Sequence, residues 1–203
     1  MATTPEARWH LQKWYADCVT PTGGLFVGYL AEVRCGPLRV RYAASLVRDA
    51  AGAPVRQRQT LRAGRVDVVP GRVGLAVPAL GLLGTWRGGS GTDPATVVRT
   101  ERGEVTWECL TLDADATVRV RGREFAGPGY AEVVRLTLAP WELGFADLRW
   151  GRFIADDRSD AMTWIATGSG VTFVGAWTPR VRFRQEAEVG EGSVLVTGGP
   201  ELT

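Results

Sequence analysis

The sequence is poor in the residues that most catalytic and metal-binding sites use. Its 203 residues include one histidine (His10), one lysine (Lys13), three cysteines and no asparagine. A histidine-ligated metal site needs more imidazoles than this chain has, and the cysteines lack the C-x-x-C spacing of zinc or redox sites. No G-x-S-x-G or phosphate-binding glycine motif is present. Catalysis would therefore depend on carboxylates, arginine, tyrosine and tryptophan, and we expect no cofactor and no metal.

Long hydrophobic runs are also missing. No segment approaches ~18 consecutive apolar residues, so we expect no integral membrane segment. The polar N-terminus lacks the apolar stretch of a signal peptide, which favours a cytoplasmic protein. The net charge is only +2, and the 23 arginines are spread along the chain. Because nucleic-acid binding usually needs a clustered basic excess, we expect no nucleic-acid partner.

Alternation of apolar and polar residues is abundant along most of the chain and is typical of half-buried strands. Val118 and Val120, for example, alternate with Arg119 and Arg121. About a dozen such segments are separated by Gly, Pro and Asp turn signals, and no amphipathic connectors suit parallel strands. Only residues 4–13 have the composition of a short helical turn. The sequence therefore predicts an all-β, antiparallel protein, closed as a barrel or folded as a sandwich.

The domain organisation is expected to be simple, because no change of composition marks a linker. We assign residues 1–12 to an N-terminal segment and residues 13–203 to one β domain. The apolar, Gly- and Pro-rich segment 69–86 is the least regular. It is compatible with a buried loop, a lid over a cavity or an irregular pair of strands.

Two segments together resemble the hydroxyneurosporene synthase (carotenoid 1,2-hydratase) superfamily, which includes tocopherol-cyclase-like proteins. Residues 13–33 (KWYADCVTPTGGLFVGYLAEV) resemble its opening strands, and residues 127–153 resemble its later Gly-Tyr and Trp-Gly-Arg stretch. The resemblance implies a lipocalin-like barrel, either single or with a partial second barrel, and a hydrophobic isoprenoid- or polyketide-like ligand. The family's Asp-His run is replaced here by Ala131-Glu132-Val133. A histidine-based mechanism therefore does not transfer.

Glu132 is the clearest carboxylate on an apolar stripe, which it shares with Tyr130 in GYAEVVRLTL. Burial raises the pKa of such a carboxyl, which can then protonate an alkene. We assign Glu132 as the general acid, Tyr130 and Arg152 as its positioning partners, and Asp17 as a second acid candidate. The alternative is that Glu132 and Arg152 form a structural ion pair. The expected substrate-binding wall is aromatic and comprises Trp14, Tyr15, Trp107, Trp141 and Trp150.

The functional prediction is a hydratase- or cyclase-like enzyme that acts by acid catalysis on a hydrophobic unsaturated small molecule in a barrel cavity. One alternative is a non-catalytic lipocalin-like protein that binds a hydrophobic ligand in the same cavity. Another is a β-sandwich interaction domain with a filled interior. The expected partner is a hydrophobic small molecule, and the sequence leaves open whether the chain forms a homo-oligomer.

Overall fold

The structure is a computed structural model that describes residues 9–89, 91–143, 148–154, 158, 161–167, 171–177, 182–190 and 193–196. The chain divides into two compact units, residues 1–139 and 140–203, and each is described by itself. The expectation of one β domain over residues 13–203 remains a prediction. Among the described residues, no helix has the length and apolar character needed to cross a lipid bilayer.

The described part of the first unit forms a ten-stranded antiparallel sheet with one 3-10 turn, Pro78–Leu80, between two of its strands. The strands are Trp9–Val19 (β1), Leu25–Cys35 (β2), Leu38–Arg48 (β3), Arg56–Thr60 (β4), Arg65–Val69 (β5), Arg72–Val77 (β6), Leu82–Arg87 (β7), Ala95–Thr100 (β8), Gly103–Val120 (β9) and Arg123–Leu136 (β10). The order across the sheet is β4-β3-β2-β1-β10-β9-β7-β6-β5, and β8 pairs with the first half of β9.

The sheet curls so that strands far apart in its order share one hydrophobic core. Phe26 of β2 packs against Trp86 of β7 and Phe125 of β10, with ring centroids 6.2 and 6.4 Å apart. Ala43 of β3 and Leu75 of β6 belong to the same buried cluster. A twisted antiparallel sheet buries one of its faces by closing on itself or on another layer. The observed fold is therefore the predicted all-β, lipocalin-like architecture.

The second unit contains a smaller antiparallel sheet in simple sequential order. It begins with a 3-10 turn at Pro140–Glu142, and its described strands pair as a meander. These strands are Leu148–Ile154 (β11), Ala161–Thr167 (β12), Val171–Trp177 (β13), Arg182–Gly190 (β14) and Ser193–Val196 (β15).

Two segments differ from the local expectation. The short helical turn was expected over residues 4–13, of which 4–8 lie outside the described residues, but residues 9–13 belong to β1. Strand pairing on both sides, with β2 and with β10, outweighs the weak helical propensity of this stretch. Of the three possibilities left open for 69–86, the structure shows strands: β6 and β7 form a hairpin around the Pro78–Leu80 turn.

Candidate active site

The register of the central strands brings the predicted carboxylates to one face of the sheet. Glu132 of β10 lies opposite Tyr15 of β1 on one side and Cys109 of β9 on the other. Tyr130 lies opposite Asp17. Since directly opposed residues share a face of an antiparallel sheet, these side chains form one group. The neighbouring Ala131 belongs to the hydrophobic core on the opposite face.

Two β-bulges in β9 lie beside this group. The register with β10 shifts between Gly129 and Ala131 and again between Ala131 and Glu132. At each shift β9 contains one extra residue relative to β10. As a result, the adjacent residues Thr111 and Leu112 are both buried, which interrupts the regular alternation along β9. Bulges bend a strand and redirect its side chains, and they are common beside active sites.

Glu132 is buried and accepts hydrogen bonds from two donors, Trp107 of the neighbouring strand β9 and Tyr130 of its own strand β10. Its side chain is 7% exposed. The indole Nε1 of Trp107 donates a hydrogen bond to Glu132 Oε2 over 2.5 Å, and the hydroxyl of Tyr130 donates to the same oxygen over 2.8 Å. Trp107 and Tyr130 are themselves almost fully buried. Their rotamers are therefore restricted by packing, and the carboxyl is oriented before any ligand binds.

A second carboxylate, that of Asp17, and the rings of Tyr15 and Tyr29 lie close to Glu132 and Tyr130. Tyr15 donates a hydrogen bond to Asp17 Oδ2 over 3.0 Å, and Asp17 is 3% exposed. The backbone of the same residue is fixed from the core side, because Trp86 Nε1 donates to the Asp17 carbonyl over 2.6 Å. The ring of Tyr15 lies 6.1 Å from that of Tyr130 and 5.2 Å from that of Tyr29. We call Tyr15, Asp17, Trp107, Tyr130 and Glu132 the Glu132 cluster.

The negative charge of the cluster changes the titration of its neighbours. Burial raises the pKa of the Cys109 thiol, and the Glu132 carboxylate raises it further, so Cys109 is a poor nucleophile. Burial and the charges of Glu132 and Asp17 raise the pKa of Tyr29. Lys13 Nζ lies 4.5 Å from the centre of the Tyr29 ring. Desolvation lowers the pKa of Lys13, and Glu132 partly opposes this change.

This arrangement suits proton transfer. It offers two buried carboxylates on one face, a phenol hydrogen-bonded to each and aromatic rings beside them. Within the described part of the chain, no group of three or more His, Cys, Asp or Glu side chains is placed to hold a metal ion.

The structure brings together five of the nine predicted site residues, namely the members of the Glu132 cluster. Trp14 lies on the opposite face of β1 and packs against the hydrophobic core. Arg152, Trp150 and Trp141 belong to the second unit, where Arg152 and Trp150 are half-buried and Trp141 is 76% exposed. Their part in a site, including the Glu132–Arg152 pair, remains a prediction from the sequence.

Sequence reasoning assigned no role to three neighbours of the cluster, Lys13, Tyr29 and Cys109. A usable signal was present for Lys13, because the spacing Lys13, Tyr15, Asp17 places all three on one face of a strand. Tyr29 joins them through the β1–β2 register, which sets it opposite Tyr15. Cys109 lies opposite Glu132 only because of the bulges in β9.

Comparison with known proteins supports the fold. No protein-family profile matches the sequence, and no curated protein matches it. Three solved structures are similar along most of the chain: an AttH-like protein from Nitrosomonas europaea (12% identity, TM-score 0.49, 93% of this chain and 68% of that one), kievitone hydratase from Nectria haematococca (10%, 0.51, 92% and 63%) and CghA (11%, 0.48, 91% and 59%).

The match to kievitone hydratase shows a shared fold and nothing finer at this identity. The comparison therefore supports the lipocalin-like all-β fold, and no family is assigned. This chain spans about two thirds, or slightly less, of the length of these structures.

Proposed function

We propose that this protein is a hydratase- or cyclase-like enzyme that transfers a proton to a hydrophobic, unsaturated small molecule, with Glu132 as the proton-transferring group. The observation that carries the proposal is the buried Glu132 carboxyl, whose Oε2 accepts hydrogen bonds from Trp107 and Tyr130. A carboxyl that is shielded from water and fixed by its neighbours is suited to protonating carbon.

The proposed reaction uses the cluster in two steps. Glu132 in its protonated form donates its proton to an alkene carbon, and the π electrons form the new C–H bond. The resulting cation is captured by water in a hydration, or by a second double bond in a cyclisation, and the released proton returns to Glu132. The electron-rich rings of Tyr15 and Tyr130 stabilise the developing positive charge. Asp17, fixed by Tyr15, is the second candidate for accepting the released proton.

The choice of substrate class rests on chemistry and on resemblance. A wall of tyrosine and tryptophan favours an apolar ligand. Kievitone hydratase, a hydratase by its name, has the same fold. The resemblance to carotenoid hydratases adds the expectation of an isoprenoid-like substrate.

Mass spectrometry under native conditions on the freshly purified protein will identify a co-purifying ligand, which directs the choice of substrates. Wild-type protein is then incubated in H2(18)O with that ligand, geraniol and lycopene. Hydration adds the mass of labelled water, and cyclisation changes the retention time without changing the mass. We expect product formation by the wild type and none by Glu132→Gln.

Glu108→Gln is the matched control, because Glu108 lies next to Cys109 on the opposite face of β9 and pairs with Arg135 over 2.7 Å. It makes the same chemical change outside the cluster and is expected to keep wild-type activity. If a ligand binds equally to the wild type and to Glu132→Gln, and neither protein converts it to a product, the chain is a binding protein and the enzymatic proposal is overturned.

A further inference from the structure

Four arginines converge on a small cavity at one end of the first unit. The cavity has a volume of about 160 Å³. Its floor is apolar, because Val47 and Val120 belong to the hydrophobic core, and Ser45 beside them is 2% exposed. The lining residues are Ser45, Val47, Arg56, Arg58, Val120, Arg121 and Arg123, and we call this the arginine pocket.

Strand pairing explains why these residues meet. Arg58 of β4 lies opposite Ser45 of β3, and Arg56 lies opposite Val47. Arg121 lies in the two-residue turn between β9 and β10, and Arg123 begins β10. Because Ser45 and Val47 face the core, the arginine pocket opens on the face of the sheet opposite the Glu132 cluster.

The positive charge of the pocket is only partly compensated. Asp49 pairs with Arg123 over 2.8 Å and also with Arg56, so one carboxylate serves two guanidinium groups. Within the described part of the chain, Arg58 and Arg121 form no ion pair with a carboxylate. Four like charges around a partly enclosed cavity repel one another, and an anion placed among them removes this repulsion.

The backbone conformation of Arg121 is a second indication of a binding site. Arg121 has φ = 50° and Gly122 has φ = 80°, which matches a hairpin turn that favours Gly or Asn at both positions. Arginine is unfavourable there, and such strained residues are concentrated at binding sites. The position is held by the bond from Arg121 N–H to the Gly81 carbonyl, at 2.9 Å.

We propose that the arginine pocket binds the phosphate group of a small molecule. Arg58 and Arg121 supply guanidinium groups without carboxylate partners, which suit the bidentate geometry of phosphate oxygens. Arg56 and Arg123 supply further positive charge, and the apolar floor of Val47 and Val120 accommodates a small organic substituent. The simpler alternative is that Arg56 and Arg58 merely protect an edge strand from aggregation, a role that needs no saturable ligand.

Calorimetric titration of the full chain in a non-phosphate buffer of constant ionic strength tests the proposal. Inorganic phosphate and methyl phosphate are the two ligands, and the tighter of them distinguishes a free ion from a phosphate monoester. We expect saturable binding of at least one ligand by the wild type. Arg58→Gln is expected to weaken that binding about tenfold or more, since each charge-assisted hydrogen bond contributes at least this factor.

Arg121→Gly separates binding from folding. Glycine suits the left-handed backbone of this position, so the variant is expected to be at least as thermally stable as the wild type while binding phosphate more weakly. Arg72→Gln is the charge-matched control, because Arg72 is exposed on β6 outside the arginine pocket. The proposal is overturned if neither ligand binds saturably, or if Arg72→Gln weakens binding as much as Arg58→Gln.

Discussion

Two glutamates of the curled sheet of the first unit lie in opposite chemical surroundings. Glu32 lies near the end of the β2–β3 hairpin and pairs with three guanidinium groups, those of Arg34, Arg39 and Arg41, at 2.7, 2.5 and 3.1 Å. Glu132 lies in the middle of the sheet and accepts hydrogen bonds from the neutral side chains of Trp107 and Tyr130.

The difference shows how partner chemistry separates a structural carboxylate from a candidate catalytic one. The hydrogen bonds and charges of the arginines lower the pKa of Glu32 to about 2, so Glu32 stays ionised at any physiological pH. Such a group cannot donate a proton. Trp107 and Tyr130 are neutral donors that orient the Glu132 carboxyl without a full opposing charge, and burial disfavours the charged form of Lys13, a cation that interacts with Glu132.

The largest expected effect on stability comes from replacing Trp107, the buried tryptophan that donates a hydrogen bond to Glu132. Trp107→Ala deletes an indole that is 1% exposed and donates to Glu132. We expect the free energy of unfolding to fall by about 3–5 kcal/mol, measured by urea denaturation, because of the cavity and the lost hydrogen bond. Trp141→Ala is the control, since Trp141 is 76% exposed, and should change stability by less than about 0.5 kcal/mol. Equal losses in the two variants would refute the packing assigned to Trp107.

An intermediate effect on stability is expected from removing the ion pairs of Glu32. Glu32→Gln removes a carboxylate shared by three arginines that are 41–57% exposed, so solvent screening limits the loss to about 1 kcal/mol at neutral pH. The pKa of Glu32 is lower in the folded than in the unfolded state. Its contribution is therefore present above its ordinary pKa of 4.5 and is lost as the pH falls towards about 2.

Urea denaturation of wild type and Glu32→Gln across this range measures the difference between the two curves. The difference should shrink steadily between pH 4.5 and 2, because protonation progressively removes the charge that distinguishes Glu32 from the glutamine variant. A difference that stays constant with pH would mean that the ion pairs do not stabilise the fold.

Only some features of the sheet around Glu132 could be predicted from the sequence. Alternation correctly predicted that Val118 and Val120 are buried on one face of a strand, since this pattern is local. The bulges that bring Cys109 opposite Glu132 carry no Gly or Pro signal in β9 and follow from long-range pairing. Trp14 and Tyr15 were both assigned to one wall, although adjacent residues of a regular strand point to opposite faces.

Register over long sequence distances explains the remaining gaps. The pairing of Asp17 with Tyr130 joins β1 to β10 and places Asp17 on the same face of the sheet as Glu132. The arginine pocket likewise depends on residues from β3, β4 and the β9–β10 turn. Local alternation predicted the strands, but it does not contain the information that places these side chains side by side.

The smallest expected effect concerns the charge of Glu132 itself. Lys13 is the only lysine of the chain, so its side-chain carbons can be followed without ambiguity by NMR after labelling with 13C-lysine. Burial lowers the pKa of Lys13 below 10.5, and the Glu132 carboxylate opposes this change. Glu132→Gln removes the opposing charge, so the pKa of Lys13 should fall further. Glu108→Gln, on the opposite face of β9, should leave the titration of Lys13 unchanged, and an equal fall in both variants would show that Glu132 carries no special charge beside Lys13.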